Sequence, residues 1–449
     1  MMEDGFVGLR HMLTIVFLSG FAGFMEAPVI TDVTVSAVCS RPDDSCSLAV
    51  YLTGFQQVAI GLGTMVMMPV IGSLSDRYGI KAILTLPMCL SILPPGYRRD
   101  THFFYLFYII KILTALVCEG AVDCLAFAYV GENIHDRTRI SAFSILAGIK
   151  MISALCGTLV ARFLPVALIF KVSAISFLVG LLYMRLFLKE RLNNDEVCDH
   201  HQDDQDSTEV TILAEPILNH TTIKTSVFNK KRSSLKDMIF LMKTSTIFMQ
   251  ALVVTFFSSF SDSGMQSAFL YFLKARFGFD KNQFADLLLL VTIVGSISQL
   301  FVLPRFASSI GERKLLSTGL FMEFMNMAIV SISWAPWVPY VTTVFVPGAI
   351  IVMPSVCGIA SRQVGPGEQG KVQGCISGVK SFGKVVAPFV FSPLTALFLS
   401  NNAPFYFPGF SILCIALSSM IGFLQSLLIK DVPPQPLNKE INNSLGEEV

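Results

Sequence analysis

Among the ionisable side chains inside long apolar runs of this chain are Glu26, Asp32, Lys111, Glu119, Asp123, Lys150, Asp262, Lys380 and Lys384. Each costs about 2.5 to 3.5 kcal/mol to place at a bilayer centre, so such groups pair with one another or line a cavity. The chemistry open to them there is proton exchange and the binding of charged solutes. Glu119 and Asp123 are spaced i, i+4, as are Lys380 and Lys384, so each pair is expected to share one helix face. Two carboxylates close together in a low-dielectric setting hold a proton more readily than either alone, which suits a proton carrier. A lysine beside one of them, Lys150, Lys380 or Lys384, would neutralise it instead. The proton-coupling candidates are Asp32, Glu119, Asp123, Asp262 and Glu26. The cavity candidates are Lys150, Lys380 and Lys384, with Gln56 and Gln299, although the glutamines could equally bridge helices. Glu323 is expected to make a structural hydrogen bond with Asn326.

Other chemistry finds no support. There is no H-E-x-x-H, G-x-S-x-G or P-loop arrangement, so catalytic residues, and an enzyme, are not expected. The stretch CDHHQDD, Cys198 to Asp204, has no fixed ligand spacing and is read as plain polar chain, so neither a metal nor a cofactor is expected. No basic patch with interleaved aromatics points to nucleic acid.

The elements that must position the acids and lysines follow from composition. Of 449 residues, 53% are hydrophobic and only 14% charged, against about 25% charged in soluble domains. Mean hydropathy is +0.63. A window of about 19 residues finds apolar runs around 11–38, 48–71, 82–95, 103–131, 140–164 and 166–188. Further runs lie around 246–273, 284–303, 315–335, 337–360, 372–399 and 405–429. They lack the strict alternation of barrel strands, so helices are the remaining solution for a spanning backbone. The fold class read here is an all-α membrane protein of twelve transmembrane helices in two six-helix bundles. The first run is too long for a signal h-region and is expected to stay as the first span. The third is short: about 15 residues between Lys81 and PPGYRRD reach about 22 Å, against a hydrocarbon core of about 30 Å.

Lys and Arg concentrate on the side shared with the N-terminus, at Arg77, Lys81, Arg137, Arg139, Lys189, Arg191, Arg305, Arg313, Lys314, Arg362 and Lys371. The positive-inside rule then places both termini in the cytosol. The polar interruption is too poor in large apolar residues to bury a core and reads as a disordered cytosolic linker. The chain divides into 1–190, an N-terminal bundle; 191–243, the linker; 244–430, a C-terminal bundle; and 431–449, a tail. Setting Gly79 against Gly311 aligns YGIKAIL with IGERKLL, each at the turn between the second and third helices of its half. Such repeats build transporters in which two bundles rock about a site near the midplane.

The loop GSLSDRYGIK resembles the signature loop of the major facilitator superfamily, G-x-x-x-D-R-x-G-basic-basic, at Gly72, Asp76, Arg77, Gly79 and Lys81, with Ile80 where a basic residue is usual. The resemblance implies a conformational latch in which Asp76 and Arg77 form a charge network between the bundles. CLAFAYVGEN, FSDSGMQSAFLYFL and GKVQGCISGVKSFGKVVAP are similar to the tetracycline-resistance-like facilitators that include the hippocampus-abundant-transcript proteins, especially plant members. The Gly-Pro motif of drug antiporters is missing from the fifth helix, which has Gly148 and Gly157. In the family fold, helices 1, 4, 7 and 10 surround the cavity and 2, 5, 8 and 11 lie between the bundles.

The function implied is secondary active transport of a small organic solute by alternating access, with proton coupling an open part of the reading. The alternative is a non-transporting receptor or scaffold on the same fold. Partners expected are the small-molecule substrate, protons and the lipid bilayer, with the protein a monomer and multi-pass in a plasma or vacuolar membrane. Most of the ten cysteines read as small apolar packers within helices; Cys39 and Cys46 could pair or stay free. The sequons at Asn219 and Asn442 fall on the cytosolic side and are expected to be unused.

Overall fold

Backbone amides in hydrocarbon must bond within their own segment, and the long apolar runs do so as helices. This computed structural model describes residues 2–38, 47–92, 101–188, 245–400 and 403–429. Cys39 and Cys46, the PPGYRRD break, the linker with its CDHHQDD stretch, both sequons and the tail lie outside the described residues.

The first half comprises α1 (Met2–Val38), α2 (Ser47–Tyr78), α3 (Ile80–Ser91), α4 (Thr101–Cys118), α5 (Ala121–Asn133), α6 (Asp136–Phe163) and α7 (Val166–Phe187). The second comprises α8 (Thr246–Phe277), α9 (Lys281–Ile297), a π-helical turn (Ser298–Val302), α10 (Leu303–Ile310), α11 (Glu312–Ser331), α12 (Val338–Val341), a 3-10 turn (Thr342–Phe345), α13 (Val346–Ser361), α14 (Gln369–Leu399) and α15 (Phe410–Leu427). Among the described residues eight helical stretches are long and apolar enough to cross a membrane: 7–26, 54–78, 138–163, 168–187, 282–305, 338–361, 369–399 and 410–427. α3 is apolar but has 12 residues, about 18 Å of helix, so the short third element persists as far as it is described.

The expected repeat is visible in the backbone. Gly79, between α2 and α3, has φ 87° and ψ 148°. Gly311, between α10 and α11, has φ 83° and ψ 146°. Both angles lie in a region essentially reserved for glycine, and each residue's carbonyl accepts the first bond of the helix that follows.

The expectation that Glu119 and Asp123 share a face fails here. α4 stops at Cys118, Gly120 turns left-handed at φ 78°, and α5 restarts at Ala121. Glycine adopts that conformation without a Cβ clash, so it breaks the run and puts the two acids on different sides of the interruption.

Within the first half α1 packs on α6 and α7; within the second α11 packs on α13 and α15, and α8 on α15. The halves meet chiefly where α2 runs along α14, with α5 on α14 and α6 on α9, the π turn and α10. One apolar cluster crosses between the halves and includes Ile71, Leu125 and Phe143 with Val352, Val372 and Ile376. Away from the Gly79 and Gly311 turns, a cluster around Met25, Phe107 and Phe170 stays in the first half. Another, around Phe272, Phe279 and Phe391, stays in the second. The bundles are therefore joined at the glycine-turn end, while the apolar packing at the other end stays inside each half.

Candidate functional site

α14 approaches α8 closely because Gly383 faces it: a Cβ there would lie 3.1 Å from the Phe256 carbonyl oxygen and the Phe260 amide nitrogen. Phe256 against Phe382 and Phe260 against Phe391, with ring centres 5.5 and 4.7 Å apart, complete that contact. The Ser263 hydroxyl donates to the Lys384 carbonyl at 3.2 Å. This packing fixes Lys380, half-buried, and Lys384, exposed, beside Asp262, which is also exposed although it sits mid-helix. Asp262 is within electrostatic reach of both lysines. Lys380 also feels Asp123 and Lys150 of the first half. Those two form an ion pair from α5 to α6. Five charges from both halves thus converge, three ammonium groups facing two carboxylates. Lys380, Lys384 and Asp262 make no ion pair within 4 Å among the described residues, so the set can still accept an anion and exchange a proton.

The remaining candidates separate. Glu26 receives a bond from Lys111 at 2.6 Å and from the Ser173 hydroxyl at 2.5 Å, tying α1 to α4 and α7 away from the converging charges. Glu119 is exposed at the helix break, with no ion pair among the described residues. Asp32 lies on α1, its side chain outside the described set. Gln56, on α2, is half-buried. Gln299 is buried in the π turn and donates to the Ile350 carbonyl at 3.0 Å, so it bridges helices. Glu323, 1% exposed, bonds Ser258 rather than Asn326.

At the glycine-turn end Asp76 closes the seam between the halves. Its two carboxylate oxygens accept from the Gly370 and Lys371 backbone amides, at 2.6 and 2.8 Å. These amides belong to the first turn of α14, which has no intrahelical partner for them, and the helix end favours a negative charge. The contact differs from a side-chain charge network: Arg77 is exposed and lies over the Tyr78 ring, 5.1 Å from its centre. Lys81 is half-buried beside the turn. Gly72 is buried because its α-carbon faces the Gly370 carbonyl, and any side chain there would clash with backbone.

Sequence reasoning missed the other side of this seam. Gly370, Gly374 and Gly378 recur every four residues on α14 and lie against Gly72, Met68, Pro69 and Met65 of α2. The signal was present in GKVQGCISG, as the small-xxx-small spacing that lets membrane helices approach. From Gly72 to Gly61, which meets Val385, the seam runs about 17 Å.

An all-helical bundle in two repeated halves, clasped at one end and lined with charges from both halves at mid-depth, defines a multi-pass membrane carrier. Comparison with known proteins agrees: residues 12–249 and 251–445 match the family model described as Major Facilitator Superfamily, and the chain belongs to that family. It is an integral membrane transporter for small-molecule substrates. It is 21% identical over 399 residues to hippocampus abundant transcript 1 protein of Mus musculus, covering 88% of this chain and 74% of the relative. With tetracycline resistance protein, class E, of Escherichia coli it shares 19% over 335 residues, covering 73% and 74%. The crystal structure of the human organic anion transporter MFSD10 (TETRAN) superposes with a TM-score of 0.73 at 14% identity, covering 94% of this chain and 99% of that one. At that identity the likeness establishes the fold.

Proposed function

We propose that this chain is a secondary active transporter that moves a small organic anion by alternating access and couples it to protons, with Asp262 as the exchanging acid. The observation that carries the reading is the convergence of Asp262, Lys380 and Lys384 of the second half on the Asp123–Lys150 pair of the first. An empty site leaves Asp262 ionised against the two lysines. An anion that takes those lysines removes Asp262's compensation, and a proton entering from the cavity restores it. A monovalent anion and a proton taken up together leave the net charge of the site unchanged, so the bundles can rock past each other about the loaded site as they do about the empty one. Asp76 is the latch that holds one of the two access states. Lys150 keeps Asp123 neutralised in the state described, and Glu26 with Lys111 is structural.

The proposed arrangement is twelve crossings with cytosolic termini, bundles over 1–190 and 244–430, and a cytosolic linker between them. The protein acts as a monomer in a plasma or vacuolar membrane, and the branch resemblance suggests a plant source. A non-transporting scaffold gains nothing from charges gathered at mid-depth, and no observation favours it. The test is uptake of a panel of small organic anions into proteoliposomes with an imposed pH gradient. Asp262→Asn is expected to lower proton-driven accumulation at least tenfold while retaining exchange at equal pH, because exchange need not cycle the empty carrier. Lys380→Gln is expected to lower both. Full proton-driven accumulation in Asp262→Asn would overturn the assignment.

A further inference from the structure

One acid of the second half has no part in that cycle. Glu323 is enclosed between α8, α11 and α15 and is 1% exposed. Its Oε2 accepts from the Ser258 hydroxyl at 3.5 Å, a long and weak bond. Its Oε1 and the buried hydroxyl of Ser419 on α15 lie close enough to interact, yet neither atom makes a well-formed hydrogen bond. Ser258 stands one helical turn before Asp262 on α8, and Asp262 is within electrostatic reach of Glu323.

Among the described residues no cation forms an ion pair with this carboxyl. α13 and α15 carry no acid or base, their only titratable side chains being Cys357 and Cys414. On α11 the charges Glu312, Arg313 and Lys314 lie at its start, about 14 Å or more along the axis from Glu323. Lys380 and Lys384 face Asp262. An ionised carboxylate left with one weak bond and one orphan oxygen would cost several kcal/mol in such a setting. A proton on Oε1 removes the charge and supplies an O–H that can donate to the Ser419 hydroxyl, so both orphans are satisfied at once.

We propose that Glu323 is a second proton-binding site lying behind the cavity, and that it and Asp262 titrate as one unit. The inference rests on the reading of Asp262 as the exchanging acid. In the empty carrier the pair holds one proton, on Glu323, with Asp262 ionised against the lysines; when an anion takes the lysines, a second proton from water joins Asp262. Two carboxyls that interact in this way release protons in steps belonging to the pair.

The test is infrared spectroscopy of the purified full-length protein at neutral pH, followed by the pH profile of transport. A protonated-carboxyl C=O band is expected, absent in Glu323→Gln and shifted in Asp262→Asn. The alkaline limb of the profile is expected to fall more steeply than a single-proton curve in the natural protein, and as a single-proton curve in Glu323→Gln. A band unchanged in Glu323→Gln, or lost there yet unmoved in Asp262→Asn, would overturn the proposal. If Glu323→Gln fails to fold, Ser419→Ala replaces it: a displaced band supports the site, and an unmoved band overturns it. The infrared arm needs no transport, so its failure is distinct from failure of proton-driven accumulation in Asp262→Asn.

Discussion

The turn at Gly79 and the turn at Gly311 have nearly the same backbone, yet they close against the opposite half in different ways. Near Gly79, the Asp76 carboxylate grips two backbone amides of α14, and a glycine ladder draws α2 and α14 together. Near Gly311, the Ser141 hydroxyl donates to the Pro304 carbonyl at 3.2 Å, with Ile140, Leu303 and Leu315 forming an apolar cluster there. The charged side chain of that turn, Glu312, instead holds Arg362 at 2.7 Å within its own half. A repeated turn therefore preserves backbone geometry without preserving what the turn clasps. The charged clasp and the close backbone approach both lie on the α2–α14 seam.

The largest effect should come from filling the glycine ladder. A Cβ at Gly374 would lie 2.6 Å from the Met68 carbonyl oxygen and 3.0 Å from the Pro69 α-carbon, backbone atoms that cannot turn aside. Gly374→Leu is expected to reduce transport more than tenfold and to leave this end of the bundle open to thiol reagents. Gly365→Leu, where nothing lies within 4 Å, should be close to natural. Equal losses in both would mean that the seam is not what closes the bundle.

Next in size is the polar clasp itself. Asp76→Asn removes a charge and one acceptor from two charge-assisted bonds, about 2 kcal/mol, which shifts the ratio of access states about thirtyfold. Ser141→Ala removes one neutral bond, about 1 kcal/mol and about fivefold. Cysteine accessibility from the two faces measures both. Shifts of equal size would erase the asymmetry between the seams.

The smallest effect sharpens the likeness. Gly79→Ala and Gly311→Ala each force a side chain into a glycine-only region at a cost of about 1 kcal/mol. Thermal unfolding should show two similar losses, and a loss at only one turn would break the equivalence of the halves.

The apolar runs and the paired glycine turns were legible in the sequence because both are backbone requirements: hydrocarbon demands internal hydrogen bonds, and a positive φ demands glycine. The shared face of Glu119 and Asp123 was misread because spacing assumes an unbroken helix, and Gly120 breaks it. Glu26 was grouped with the cavity acids since nothing local reveals Lys111, 85 positions away, or Ser173, 147 away. Glu323 was assigned the neighbour one turn along its own helix, whereas its hydroxyl contact comes from α8. A contact of Asp76 with the other half was legible from the loop's resemblance, but its partner was not, because a backbone amide has no letter in the sequence.

That last feature has an evolutionary corollary. Since Asp76 grips main chain, residue 371 can change identity without removing its donor, and proline alone deletes it, whereas Gly370 is held by the space of the seam. The two sides of the clasp need not vary together, so a method that infers contacts from correlated substitutions would pass over one of the polar links joining the halves of this molecule.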